Sequence, residues 1–233
     1  MSIIAIIVAL ERELAPFVRN WKSVSFSYSG HEFRAYEHES LVAIAGGIGR
    51  RAAEIAAQAI VAQYKPQVLI SAGLAGALLH SLKVGSVITP NVVVDAATGK
   101  EYRSEVGGGV LVTADEIANT TSKATLVEKF HALAVDMEAA AVAEVAQQNA
   151  IAFRCVKAIS DEADFVMPPL IQFVDETGSF QNGRFMAWAA LRPRQWPKVI
   201  SLARNSSRAS LALCDWLKLH INNYLPERVV QQA

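Results

Sequence analysis

Four segments of this sequence place acids or glycines where apolar runs end, and side chains in such places can do acid–base chemistry. They are Glu11 and Glu13 in ALERE, Gly46, Gly47 and Gly49 in AGGIG, Asp136 and Glu138 in VDMEAAAVA, and Ser160 and Asp161 in AISDEAD. A carboxylate at Glu138 can accept hydrogen bonds from two vicinal hydroxyls while the Met137 thioether packs on a flat sugar face. Equally, Asp136 and Glu138 can sit in the first turn of a helix and complement its dipole. Asp161 can protonate or hydrogen-bond a ring nitrogen of a departing base, and Ser–Asp is equally a preferred helix start. The glycines of AGGIGRR let bare backbone approach a ligand, or they only make a tight turn; the dinucleotide spacing GxGxxG is absent. Gly73 and Gly76 in SAGLAGA carry the same ambiguity.

Other chemistries find no support. His31, His38, His80, His131 and His220 are scattered without metal-ligand spacing, so no metal is expected and each reads as structural or surface. No serine or cysteine elbow serves them, which disfavours a charge-relay hydrolase. Cys155 and Cys214 lie in apolar or helical runs and read as packing residues. Lys and Arg number 22 against 22 Asp and Glu, so no general attraction to nucleic acid or an anionic membrane is expected. The start, MSIIAIIVALERELAPF, turns charged after a short apolar run and reads as neither signal peptide nor membrane span, which points to the cytoplasm.

The elements that must position these groups follow from periodicity. A length of 233 residues at 52% hydrophobic content suits one alpha/beta domain over 1–233. Short apolar runs alternate with alanine-rich helical stretches, the pattern of a mostly parallel sheet covered on both faces. Strands are expected at 3–9, 41–45, 68–72, 86–94, 110–113, 132–136 and 152–160, with helices at 50–64 and 137–149. A further helix is expected at 11–19 if Pro16 lies in its first turn. From 165 onward prolines and glycines punctuate an extended loop region, followed by a covering helix from about 198 to 222. In parallel sheets ligands lie at the carboxyl ends of strands, where the four segments above fall.

Taken in order, VALERE, GGIG, SAGLAGAL, LKVGSVI, VDMEAAAVA and KAISDEAD resemble the methylthioadenosine/S-adenosylhomocysteine nucleosidases of the purine nucleoside phosphorylase superfamily, over roughly residues 3 to 164. The resemblance implies a three-layer sandwich with a central, mostly parallel mixed sheet, and cleavage of the N-glycosidic bond of a purine nucleoside without a cofactor. Residue by residue, it implies that Glu13 positions and deprotonates the attacking water. Glu138 would bind the ribose hydroxyls, with Met137 beneath the sugar and Asp136 beside it. Asp161, oriented by Ser160, would protonate the purine at N7. Ile117 and Ala118 fall where the family holds adenine, and Ile48, Gly73, Leu74, Ala75 and Lys157 complete the expected substrate-binding set. A dimer is usual in the resembling family. Glycosidic cleavage passes through an oxocarbenium-like sugar with a poor leaving group, so Asp161 is expected to sit in a dry surround that keeps it protonated.

Two positions depart from the family. Leu74 replaces a serine or threonine that helps hold the nucleophile, and Lys157 replaces an arginine, keeping its charge but losing the bidentate fork. Phosphate therefore competes with water as the nucleophile, with Gly47, Arg50 and Arg51 as the nearby anion-site candidates. The segment SDEADFVMPPLIQF resembles the hopanoid-associated phosphorylase branch, whose proposed substrate carries a bulky polycyclic lipid at the 5' carbon. Phe165, Met167, Pro168, Leu170, Phe173, Phe185, Met186 and Trp188 would suit an apolar 5' pocket, or equally an ordinary hydrophobic cover or dimer interface. A non-catalytic nucleoside-binding protein is the reading from another class; retention of all three acids argues against it.

Overall fold

Side chains of the first strand, β1 (Ile4–Val8), divide by parity, as the two-residue repeat of a strand requires. Ala5 and Ile7 join one core cluster, while Ile4, Ile6 and Val8 join another on the opposite face. Both faces are thus apolar and each needs a helical layer. The computed structural model describes residues 3–104, 106–175 and 177–224 and supplies both layers.

After β1 come a short 3-10 turn, Glu11–Glu13, and the single helical turn α1 (Ala15–Val18), with Pro16 in its first turn where the missing N–H costs nothing. β2 (Lys22–Tyr28) and β3 (His31–His38) form a hairpin that leads into β4 (Leu41–Ala45). α2 (Arg50–Tyr64) matches the expected helix and ends before Pro66 at Lys65, which is left-handed. β5 (Val68–Ala77), β6 (Val87–Ile88), β7 (Val92–Asp95), β8 (Glu101–Arg103) and β9 (Val110–Thr113) follow. Then come α3 (Thr120–Phe130), β10 (Ala134–Asp136), α4 (Ala139–Gln148), β11 (Ala152–Asp161), α5 (Asn182–Ala190) and α6 (Trp196–His220). Among the described residues, no helix is long and apolar enough to cross a membrane.

The sheet runs β2-β3-β4-β1-β5-β10-β9-β7-β8, with β11 paired to both β5 and β6. β1 is parallel to β4 and β5, β11 to β5, and β10 to β9; the hairpin and the pairings of β10 with β5 and β11 with β6 are antiparallel. α2 and α4 bury small apolar side chains such as Ala53, Ala57, Ala140 and Val142 on one face. α6 closes the other face through Ala209, Leu213 and Leu217. α3 lies over Val94, Val112 and Val135 through Leu126, Val127 and Phe130.

β5, which with β11 reaches ten residues, positions the site. Residues 68–71 of β5 pair with β1, but Gly76 and Ala77 pair with β10, so the strand changes partner partway along. Gly73, at φ +137, stands at that change, in a conformation L side chains rarely adopt. The crevice between the carboxyl ends of β1 and β10 is where a ligand belongs in such a sheet. Three differences from the sequence reading have physical causes. SAGLAGA continues β5 instead of following it, because its small residues let other side chains close in. The expected strand at 86–94 splits at Pro90, which cannot donate to a ladder. The stretch after 165 holds α5 in addition to loop.

Candidate active site

Glu13 comes from the 3-10 turn after β1, and Cys214 of α6 donates to its carbonyl oxygen at 3.4 Å, tying that turn to the covering helix. Its side chain is buried, and Oε2 has no hydrogen-bond partner among the described residues. Burial pushes the Glu13 carboxyl up to about 7, the charge of Glu138 adds to the rise, and Lys157 opposes it. A base with that affinity is well matched to neutral pH. A Cβ on residue 73 would stand 2.9 Å from Glu13 Oε2, so the glycine clears space for this carboxylate.

Glu138 precedes α4, and the Gly49 N–H donates to its Oε1 at 2.8 Å, with the Met137 N–H at 3.3 Å from Oε2. The glycine-rich turn before α2 therefore holds a protein carboxylate. Burial, and then the charge of Asp136, push Glu138 up to about 7. Asp136 does different work. Its carboxylate accepts from Thr113 Oγ1 at 2.7 Å and the Ala139 N–H at 2.9 Å, and it pairs with Lys157 Nζ at 2.8 Å. It starts α4 and holds a cation, so the helix-terminus reading describes Asp136 while Glu138 faces the cavity.

Lys157, on β11, is 1% exposed, and the Asp136 carboxylate raises its affinity for a proton against the cost of burial. One ammonium thus offsets a cluster of three acids, Glu13, Asp136 and Glu138. Removing one partner of such a buried pair leaves an uncompensated charge and costs about 3–5 kcal/mol. Lys157→Met is accordingly expected to lose about that much unfolding free energy in urea titration, while Lys157→Arg stays within about 1 kcal/mol of the parent. A Met variant as stable as the parent would show that the acids do not depend on this ammonium.

Asp161 ends β11 after an irregularity in its register with β5. Ser160 Oγ donates to its Oδ1 at 3.0 Å, as expected of an orienting hydroxyl. Asp161 is buried, as a dry surround requires, but that surround is not wholly apolar. Lys123 Nζ, from α3, lies 2.6 Å from Oδ2, so a cation takes the place of apolar side chains. A Cβ at residue 76 would lie 2.8 Å from Asp161 Oδ2, which only glycine avoids.

These side chains share one cavity of about 170 Å³. Glu13, Ile48, Gly73, Leu74, Ala75, Ile117, Ala118, Asp136, Met137, Glu138, Ser160 and Asp161 all line it. Lys157 lies behind Gly73, its Nζ 3.7 Å from where a Cβ there would stand. Phe165 lines none of the cavities described here; its segment contributes Met167 instead, because Phe165 closes a turn back to the Glu162 carbonyl. Sequence reasoning missed Lys123 and the role of Gly76, and placed Met167 in the 5' pocket alone. A capping signal was available for the first: Asn119 accepts from the Ser122 N–H at 2.9 Å and starts the helix that carries Lys123.

An adjoining apolar cavity of about 550 Å³ shares Ile48, Ile117, Ser160 and Met167 with the first and extends to Leu170, Phe180, Phe185 and Leu202. Of the side chains expected to suit a 5' pocket, Met167, Leu170, Phe185 and Met186 line it. Phe173 and Trp188 stand behind, Trp188 stacked on Phe185 at 6.0 Å.

The carboxylates of Glu13, Glu138 and Asp161, converging at the carboxyl ends of a mostly parallel sheet where its central strand changes partner, define the site of an acid–base enzyme of the alpha/beta class. The sequence model of the phosphorylase superfamily matches residues 3–108 and 93–183, and the chain belongs to that superfamily. A 5'-methylthioadenosine/S-adenosylhomocysteine nucleosidase of Bacillus subtilis is 30% identical over 198 residues, covering 69% of this chain and 86% of that protein. Among solved structures, the S-adenosylhomocysteine nucleosidase of Streptococcus pyogenes with 5-methylthiotubericidin shares the fold at a TM-score of 0.71 and 21% identity, covering 97% of this chain and 98% of that one. The futalosine hydrolase of Helicobacter pylori shares it at a TM-score of 0.72 and 17% identity, covering 95% and 98%.

Proposed function

We infer that the protein hydrolyses the N-glycosidic bond of a 5'-substituted adenosine and releases adenine. The observation that carries this reading is the unpartnered, buried Oε2 of Glu13, on the cavity that Glu138 and Asp161 also line. Glu138 accepts from the ribose hydroxyls, fixing the sugar over Met137, and its negative charge stabilises the oxocarbenium-like transition state. Glu13 takes a proton from the attacking water, and Asp161 delivers one to N7 so that the base departs neutral. The relatedness to proteins named as nucleosidases supports the same bond and the same nucleophile.

Water is favoured over phosphate by where the cations are spent. Arg50 pairs with Asp95 at 2.6 Å and Asp115 at 3.1 Å, Lys157 pairs with Asp136, and Gly47 and Arg51 line a different cavity, so none of these is left to hold a phosphate dianion beside Glu13. Leu74 adds an apolar side chain to the nucleophile's seat.

The adjoining apolar cavity supports a large, apolar group at the 5' carbon, of the polycyclic lipid kind. We further place the protein in the cytoplasm, where the free, buried Cys155 and Cys214 suit a reducing milieu, and as a homodimer. Adenine release from a series of 5'-alkylthio adenosines, with and without inorganic phosphate, tests this reading. KM is expected to fall by up to about fourfold per methylene until the cavity fills, since a buried CH₂ contributes about 0.8 kcal/mol. Release is expected to be indifferent to phosphate. Strict phosphate dependence would reject hydrolysis, and a KM that rises beyond methyl would reject the apolar 5' group.

A further inference from the structure

The acid–base scheme above leaves one buried charge in the cavity without a task. Lys123 is 5% exposed and lines the same cavity as Asp161, and its Nζ lies 2.6 Å from Asp161 Oδ2 and 3.1 Å from the Glu162 carbonyl. Its position is fixed from both ends. The Asn119 cap sets the start of α3 one turn before it, and the two acceptors hold the ammonium. A buried ion pair adds little stability over apolar side chains of similar volume, because desolvating both charges offsets most of their attraction. A pair kept beside the leaving-group acid is better explained by chemistry. The other Asp161 oxygen already accepts from Ser160, so the Lys123 ammonium is the proton source in direct contact with this carboxylate.

We propose that Lys123 is a positioning residue of the leaving-group site and supplies the proton that Asp161 passes to the purine. This rests on the reading of Asp161 as the group that faces N7. In the step, an N–H bond of Lys123 breaks and its proton moves through the Asp161 carboxyl to N7. The electron pair of the C1'–N9 bond goes to the base. Water forms the new C1'–O bond and gives a proton to Glu13. Lys123 is left as a neutral amine and Glu13 as a neutral acid; exchange of one proton each with solvent restores both. Asp161 begins and ends the step as a carboxylate.

The test compares Lys123→Met and Lys123→Arg on 5'-methylthioadenosine and on its 6-chloropurine counterpart, whose base departs with less need of a proton. Lys123→Met is expected to lower kcat on the adenine substrate by about 10²–10³-fold, with KM changed less than about threefold. Its loss on the 6-chloropurine substrate is expected to be at least about tenfold smaller. Lys123→Arg keeps the charge opposite Asp161 but does not release its proton, so it is expected to be as slow as the Met variant. Thermal unfolding of both variants checks the fold, and the Arg variant decides if the Met variant does not fold. Parent-level kcat in either variant, or equal losses on both substrates, overturns the proposal. A slow Asp161→Asn beside a fast Lys123→Met removes only the role of Lys123, whereas a fast Asp161→Asn removes the reading of Asp161 itself.

Discussion

Replacing Asp161 with Asn is expected to lower kcat for adenine release by about 10²–10⁴-fold while leaving the fold intact, the range a positioned general acid contributes. The amide is nearly isosteric: its one oxygen can accept from the Lys123 ammonium where Oδ2 does so in the native site, and its NH2 can donate to the Ser160 hydroxyl, which turns to accept. What it loses is the ability to take a proton and hand it on. KM is expected to change far less than kcat, because the step lost belongs to the transition state. Steady-state kinetics with a thermal unfolding curve checks this. A variant that turns over at the parent rate would remove Asp161 from the mechanism.

Glu13→Gln is expected to cost a similar 10²–10⁴-fold in rate and, at the same time, to stabilise the empty protein above neutral pH. Both effects follow from burial. The carboxyl holds its proton up to about 7 in the folded protein, against 4.5 ordinarily. The unfolded chain therefore releases its proton near 4.5 while the folded one keeps it, and stability falls with rising pH across that interval. Glu138, also raised to about 7, adds a fall of the same sign. Glutamine has no proton to lose, so at pH 8 Glu13→Gln is expected to gain on the order of 3 kcal/mol relative to the parent, and nothing at pH 4. In the parent, kcat/KM is expected to rise with pH through about 7 as Glu13 ionises. Urea titrations at the two pH values, with a pH–rate profile, read both effects. Equal stabilities at pH 8, or a rate flat from pH 5 to 8, would show that Glu13 is not the desolvated base.

The parts of the fold legible in the sequence are those whose signal is local. α2 reads off RRAAEIAAQAIVAQY because its apolar face and the following Pro66 both lie within the segment. The strands β1, β4 and β9 are short apolar runs because both of their faces are covered. The hairpin β2–β3 escapes a search for such runs, since it lies at the sheet edge and alternates, as in SVSFSY; the positive φ at Ser29 and Gly30 marks its turn. α5 begins with Asn-Gly and reads as loop, although Phe185 and Trp188 stack along it.

The site divides in the same way. Glu13, Glu138 and Asp161 could be found because each interrupts an apolar run where a strand ends. Their convergence follows from the sheet order and the change of partner along β5. Lys123 could not be found so. It sits on the solvent-facing type of helix that periodicity describes poorly, and its partner lies 38 residues away on another element. Asp161 is buried as expected, and the cation beside it comes from a tertiary neighbour that no local signal announces.

The central claim is that one nucleoside is gripped by all three acids at once, and a crystal structure with an uncleavable C-nucleoside analogue of 5'-methylthioadenosine tests it most directly. Both ribose hydroxyls are expected within about 3 Å of Glu138, the N7 position at that distance from Asp161, and Glu13 facing C1' across a water. An analogue bound with its sugar away from Glu138, or with Glu13 on the far side of the base from C1', would contradict it.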